Sequence, residues 1–557
     1  MISHRRVRPL SSLGWSLAGG LALSLSLPPV GFYPLAWVAL VPIIARWADR
    51  KASLALAREI YAIFLVAAAA TGFWALHLPN ELQSALAGLA LLLVPIPIAV
   101  ALTGAAWVRQ TFGLPLGLGA LAVNVLVAEF LVLHFPVGTP WTLLGHTQAL
   151  ALPFIQTVEV GGVLLLSAWV LGLNISAFLA LEAMSKRKRN ASWTDRGLAV
   201  ASFAALIALP ALYGTVRTSG DNVPPGHIEV AIVQPDFTPE QWDNPVDEDR
   251  VTHLASVSDA LLTDWIASDE GRSRAGYSTT APRPDLLIWP RASLPVYGDL
   301  AREHELYTRL AQWTTRRRTP LLTGAYTAAT DEGRGEPDSR YYPLPMSQSA
   351  QSALLFQPSK EGPVRYDQAR RVPVLEAVPS PIARSVGDAV PAFELGSRRA
   401  LLPAGRTFLA ASVGYEGVFG DHVRQFVGDG ANLLVSLAPP GGGLAGQRQH
   451  LAFMRLRALE TGRAIVVAAP SRGSALVLPD GRATGLYPTT VEEGLRVEAP
   501  IYTGRTPYVR WGDWVGQLAF VIGLVGNVGL FMVAKNRAKK PKKKRRVRHI
   551  GTPTAAG

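Results

Sequence analysis

A chain of 557 residues exceeds what one hydrophobic core organises, and 49% hydrophobic against 17% charged residues points to membrane segments joined to a soluble part. The absence of any cysteine excludes disulfides, thiolate metal sites and cysteine nucleophiles. The net charge of +13 gathers in "HRRVR", "SKRKR" and "AKNRAKKPKKKRRVRH", beside apolar stretches. It reads as cytoplasmic flanking charge; the alternative is a polybasic tail that touches anionic headgroups. No recognition module accompanies it, which argues against nucleic acid.

Apolar stretches near residues 11–27, 35–46, 59–78, 85–107, 115–134, 159–182 and 197–215, with another near 515–534, predict about eight transmembrane helices. The basic segments "HRRVR", "RWADRK", "WVRQ" and "SKRKR" all fall on one side, and "HLPNELQ" and "HFPVGTPW" on the other. Both termini are therefore expected in the cytoplasm, with residues 216–514 outside. The first apolar run follows "RRVR" as a signal peptide would, but no small-residue cleavage site follows it, so a retained span is expected. Glu129 and Glu159 sit close to the predicted outer edge of the membrane. There they orient headgroups or close hydrogen bonds; a transport path would show broken helices and several ionisable groups at midplane.

The region 216–514 alternates short β-rich runs with helical stretches. Strands are predicted over 228–236, 285–290, 319–326, 352–358, 407–416, 431–439, 464–470 and 474–481. "REHELYTRLAQWTTRRR" and "QRQHLAFMRLRALETGR" read as amphipathic helices, with Gly462 stopping the second. The alternation implies a layered α/β domain. The polar stretch "AATDEGRGEPDSRYYPLPMSQSA" reads as a loop, and "FLAASVGYEGVFGDHVRQF" as strand, sharp turn and helix. The domains expected are thus a membrane domain over 1–215, an α/β domain over 216–514, a closing transmembrane helix over 515–534 and a basic tail over 535–557.

Five motifs stand in order along the chain: "GFYPLAWVALVPI" and "FPVGTPWTLLGHTQ" in the membrane part, then "VAIVQPDFTPEQWD", "QHLAFMRLRALETGRAIVVAAPSRGSALVLPDGR" and "YTGRTPYVRWGDW". In this order they resemble those of the apolipoprotein N-acyltransferases, a membrane-anchored branch of the nitrilase superfamily. The resemblance implies an extracytoplasmic nitrilase-like αββα sandwich carried by the helices, in the bacterial inner membrane, with no cofactor and no metal. It implies phospholipid and lipoprotein as partners. It also implies a Glu-Lys-Cys triad whose thiolate takes an acyl chain from phospholipid and passes it to a lipoprotein's N-terminal amine.

Carried over residue by residue, all three members are replaced. The glutamate position in "LIWPRASLP" holds Arg291, the lysine position in "RYDQARRVPVLEAVP" holds Gln368, and the cysteine position in "SVGYEGVF" holds Gly414. Arginine stays protonated and cannot act as a base, glutamine lacks the cation, and glycine has no side chain to attack with. The flanking Trp289, Pro290, Tyr366, Pro373, Glu376, Pro379, Tyr415 and Glu416 still look like the family's. The segment "APPGGGLAG" lacks the aromatic residue of the family's entrance loop. Ser412 is two residues from Gly414, roughly 6–7 Å along the strand, and only His422 and His450 are candidate bases for it. Trp289, Glu376, Tyr415, Glu416 and His450 are the expected retained pocket residues, with Glu376 and Glu416 placed to pair with Arg291. The expectation is an inactive homologue that binds lipid, lipoprotein or a protein partner; the alternative is an active N-acyltransferase using other residues.

Overall fold

The computed structural model describes residues 12–77, 81–134, 140–184, 193–220, 223–235, 248–274, 283–294, 300–328, 349–372, 376, 395–396, 399–439, 443–484 and 493–539. The basic runs at 4–8 and 185–189, the polar stretch 329–348, Pro373, Pro379 and Gly441 of the entrance segment lie outside them.

Among the described residues six helices are long and apolar enough to cross a membrane: Leu54–Leu76, Ser84–Phe112, Leu114–His134, Val158–Met184, Arg196–Ser219 and Trp514–Arg537. Each covers one of the predicted spans. The first two predicted spans are shorter. Leu13–Ser26 is an apolar helix of 14 residues, about 21 Å long against a hydrocarbon core of roughly 30 Å. The second is a 3₁₀ turn, Tyr33–Trp37, followed by the helix Val41–Asp49. Prolines divide this stretch: Pro28 and Pro29 follow the first helix, Pro34 begins the 3₁₀ turn and Pro42 sits in the first turn of the next helix.

The α/β region has two six-stranded sheets. In chain order the strands are β1 Gly226–Gln234, β2 Leu286–Ile288, β3 Leu321–Ala328, β4 Ser349–Phe356, β5 Val364–Asp367 and β6 Leu402–Ala404, then β7 Thr407–Val413, β8 Leu433–Leu437, β9 Ile465–Ala468, β10 Ala475–Val477, β11 Ala483–Thr484 and β12 Glu493–Ile501. One sheet runs β12-β1-β2-β3-β4-β5 and the other β11-β10-β9-β8-β7-β6. Strand alternation separates two cores. Val230, Ile232, Leu286 and Ile288 face Leu409, Val413, Val435 and Val466 between the sheets. Ala231, Val233, Leu287 and Trp289 face outward, under Leu254, Trp265, Leu310 and Trp313 of the helices Glu248–Arg274 and Leu300–Arg317. This is the expected αββα sandwich.

The helix Gly443–Thr461 belongs to both parts of the protein. Phe453, Met454 and Ala458 join the sandwich core, whereas Ala452, Leu456 and Leu459 join the membrane-helix core. Gly462 ends it at φ +63°, a left-handed position open to glycine. Nearby, Val158–Met184 breaks at Gly161 and Gly162, where Gly162 at φ +66° leaves room for the Tyr508 ring. The amide freed by the break, Val163 N–H, donates to Glu460 Oε1 at 3.1 Å, and Arg457 Nη2 donates to the same oxygen at 2.7 Å. A buried ion pair thus closes the joint between membrane helices and α/β domain.

Candidate active site

β7 runs into a 3₁₀ turn, Gly414–Val418, and then the helix Gly420–Asp429, as the alternation of apolar and turn residues predicts. Gly414 opens the turn at φ +64°, where a side chain is strained. Space is the second constraint. A Cβ at position 414 would lie 2.3 Å from Glu376 Oε1 and 3.6 Å from Arg291 Cζ. The place where a nucleophile would project from this turn holds a carboxylate with a guanidinium beside it.

Arg291, Gln368 and Gly414 come together around Glu376. Arg291 follows β2 and is 8% exposed. Gln368 follows β5, and its Nε2 donates to Glu376 Oε1 at 3.0 Å and to the Val413 carbonyl at 3.1 Å. The Tyr415 amide donates to the same carboxylate oxygen at 3.1 Å, and the Val372 amide to Oε2 at 3.0 Å. Burial pushes the Glu376 carboxyl above the usual carboxylate range, and the nearby Arg291 charge partly offsets that.

Glu416 does not take the expected place beside Arg291. It is fully buried and accepts from Tyr366 Oη at 2.6 Å, the Ala369 amide at 2.8 Å and the Arg370 amide at 3.1 Å through Oε1. Its Oε2 accepts from the Val413 amide at 3.2 Å, and His422 Nε2 lies 3.0 Å from Oε1. The reason is geometric: the turn directs residue 416 back onto the strand end and toward segment 366–370. Burial, and next Glu416, push the Tyr366 phenol up. Glu416 therefore ties the segment bearing Gln368 to the turn bearing Gly414.

The remaining expected residues divide. Tyr415 and His450 line one small cavity of about 10 Å³, the room of about one water molecule. His450 Nε2 is 2.9 Å from Ser436 Oγ, and burial pulls its imidazole down to about 4, so it is neutral at pH 7. Trp289 points away from this space: it packs on Trp313 in the outer core and donates to Ser258 Oγ at 2.8 Å. Ser412 Oγ donates to the Val435 carbonyl at 3.5 Å, while His422 and His450 are engaged with Glu416 and Ser436. Among the described residues neither histidine hydrogen-bonds to Ser412.

Two residues that sequence reasoning missed close the membrane side. Trp74 stacks on Trp141 at 6.4 Å and on Tyr415 at 6.1 Å between ring centroids, and Trp141 lies 5.6 Å from Tyr415. Trp74 Nε1 donates to Gln449 Oε1 at 3.0 Å, and Gln449 Nε2 donates to the Pro28 carbonyl at 3.1 Å. Trp74 ends a span, where tryptophan ordinarily marks the interface, so its sequence position carries no signal of this contact. Of the two membrane glutamates, Glu129 Oε1 accepts the Leu144 amide at 2.7 Å and Glu159 pairs with Arg217 at 3.0 Å. His134, Asp421 and Asp513 bring ligand atoms within 4.8 Å of one another. Arg424 at 2.6 Å from Asp421 and Tyr508 Oη at 2.9 Å from Asp513 already occupy those carboxylates, which makes the cluster an ion-pair network.

The model of the apolipoprotein N-acyltransferase N-terminal domain matches residues 19–176. The apolipoprotein N-acyltransferase of Chlorobaculum tepidum is 26% identical over 94% of this chain and 96% of its own. That of Gloeobacter violaceus is 27% identical over 96% of this chain and 97% of its own. Among solved structures, a Nesterenkonia amidase of the nitrilase superfamily is similar over 52% of this chain and 95% of its own, at 18% identity and a TM-score of 0.34. The domain match lies on the membrane helices and the two relatives align from end to end, through the turn at Gly414. Along nearly its whole length this chain is similar to apolipoprotein N-acyltransferases.

Proposed function

We propose that this chain is a catalytically inactive member of the apolipoprotein N-acyltransferase family, which keeps the scaffold to bind phospholipid, lipoprotein or a protein partner in the inner membrane. One observation carries the reading: at Gly414, where the family resemblance puts the nucleophile, there is no side chain, and Glu376 Oε1 lies 2.3 Å from where its first atom would be. Acyl transfer through an enzyme intermediate needs a nucleophile, a base to deprotonate it and a donor for the tetrahedral oxyanion. Arg291 accepts no proton, and Gln368 is committed to Glu376 and the Val413 carbonyl. In this reading residues 1–215 form the membrane domain, 216–514 lie outside the cytoplasmic membrane, 515–534 cross back and 535–557 end in the cytoplasm. Trp74, Trp141 and Tyr415 would form the lipid-facing wall of the former site.

Complementation tests the proposal. In a bacterium depleted of its own N-acyltransferase, the native chain is expected not to restore growth, although it accumulates in the membrane. A variant carrying Arg291→Glu, Gln368→Lys and Gly414→Cys is expected to restore it, because the three substitutions together supply the base, the cation and the nucleophile that the native residues lack. Growth on the native chain would refute the proposal and favour an N-acyltransferase working through other residues.

A further inference from the structure

A cleft of about 450 Å³ lies at the other end of the helix Gly443–Thr461 from His450, between the end of the span Arg196–Ser219 and the α/β domain. Its size is that of a small-molecule site. Its walls carry Arg217, Arg463, Arg482 and Arg505 against Glu159 and Asp480. Two of the arginines are neutralised: Arg217 pairs with Glu159 at 3.0 Å and Arg482 with Asp480 at 2.6 Å. The other two are not. Arg463 is 2% exposed and donates only to backbone carbonyls, those of Ala431 at 2.9 Å and Gly462 at 3.2 Å. Arg505 is exposed and donates to the Gly428 carbonyl at 2.7 Å. Among the described residues no carboxylate forms an ion pair with either.

Two guanidinium groups share this space without a counter-charge, an arrangement that costs repulsion until an anion enters. Burial, and then the charge of Arg505, pull Arg463 down to about 10, which marks the same conflict. Guanidinium forks match phosphate oxygens two at a time. The place of the cleft points to what brings the phosphate: Arg217 is in the last turn of a helix long and apolar enough to cross a membrane.

We propose that this cleft binds a phosphate-bearing anion between Arg463 and Arg505, as the headgroup of a phospholipid or as free phosphate. The site is separate from the turn at Gly414 and does not depend on whether that turn is active. The test uses the full-length protein in a non-ionic detergent, titrated calorimetrically with dihexanoyl phosphatidylglycerol, inorganic phosphate and dihexanoylglycerol. The phosphate-bearing lipid is expected to bind saturably and dihexanoylglycerol to leave the site empty. Arg505→Glu, an exposed position, is expected to weaken binding at least tenfold, and Arg510→Glu, outside the cleft, to leave it unchanged. Lipid binding much tighter than that of inorganic phosphate, and displaced by it, identifies a headgroup; equal affinities identify free phosphate. Absence of saturable binding by either phosphate compound, or binding that Arg505→Glu does not weaken, overturns the proposal.

Discussion

Replacing Glu416 by alanine is expected to lower the stability of the α/β domain by about 3–5 kcal/mol, the range for breaking one partner out of a buried charged network. The carboxylate is 0% exposed and holds the Tyr366 hydroxyl, the amides of Ala369, Arg370 and Val413, and the His422 ring. Its loss strands all of these in an environment closed to water, and each unsatisfied buried group costs about 1–3 kcal/mol. Thermal unfolding in detergent should register this as a drop in Tm of about 6–15 °C. Glu416→Gln, which keeps an acceptor, should cost less. A Tm within about 2 °C of the native value for Glu416→Ala would mean that the network does not hold the turn.

Gly414→Ala is the second large effect, expected to cost about 2–4 kcal/mol. Part is backbone strain, since an L side chain at φ +64° costs roughly 1–2 kcal/mol. The rest is overpacking, because the new Cβ meets Glu376 Oε1 at 2.3 Å and that oxygen is held by Gln368 and the Tyr415 amide. A double-mutant cycle separates the two parts. If the collision contributes, Gly414→Ala combined with Glu376→Ala loses about 1–2 kcal/mol less than the sum of the single losses. Strict additivity would place the whole cost in the backbone and remove the argument that Glu376 fills the site.

The sequence is most legible where one physical signal dominates. Six spans are continuous apolar runs longer than any soluble helix needs, and eight of the twelve strands are short apolar or β-branched runs bounded by glycine or proline. β12 was missed although Leu495, Val497 and Ala499 alternate and are buried; the charged residues between them mask the period. The two N-terminal elements are shorter than their apolar composition predicts because Pro28, Pro29, Pro34 and Pro42 divide the backbone. At the candidate site, the identities of Arg291, Gln368 and Gly414 and their family-like neighbours were readable. What residue type does not encode is direction. Trp289 turns outward because strand alternation continues past β2, Glu416 turns away from Arg291, and the carboxylate that occupies the space at position 414 is Glu376, brought in from another segment. The stacking of Trp74 on Tyr415 joins residues more than three hundred positions apart, beyond the reach of local pattern.

The most direct measurement is the intact mass of the purified native protein after incubation with diacyl phospholipid at neutral pH. With no side chain at position 414, the mass is expected to remain that of the unmodified polypeptide at every time point. A stable increase by one acyl chain, removable by hydroxylamine, would show that this chain carries acyl groups and would contradict the account.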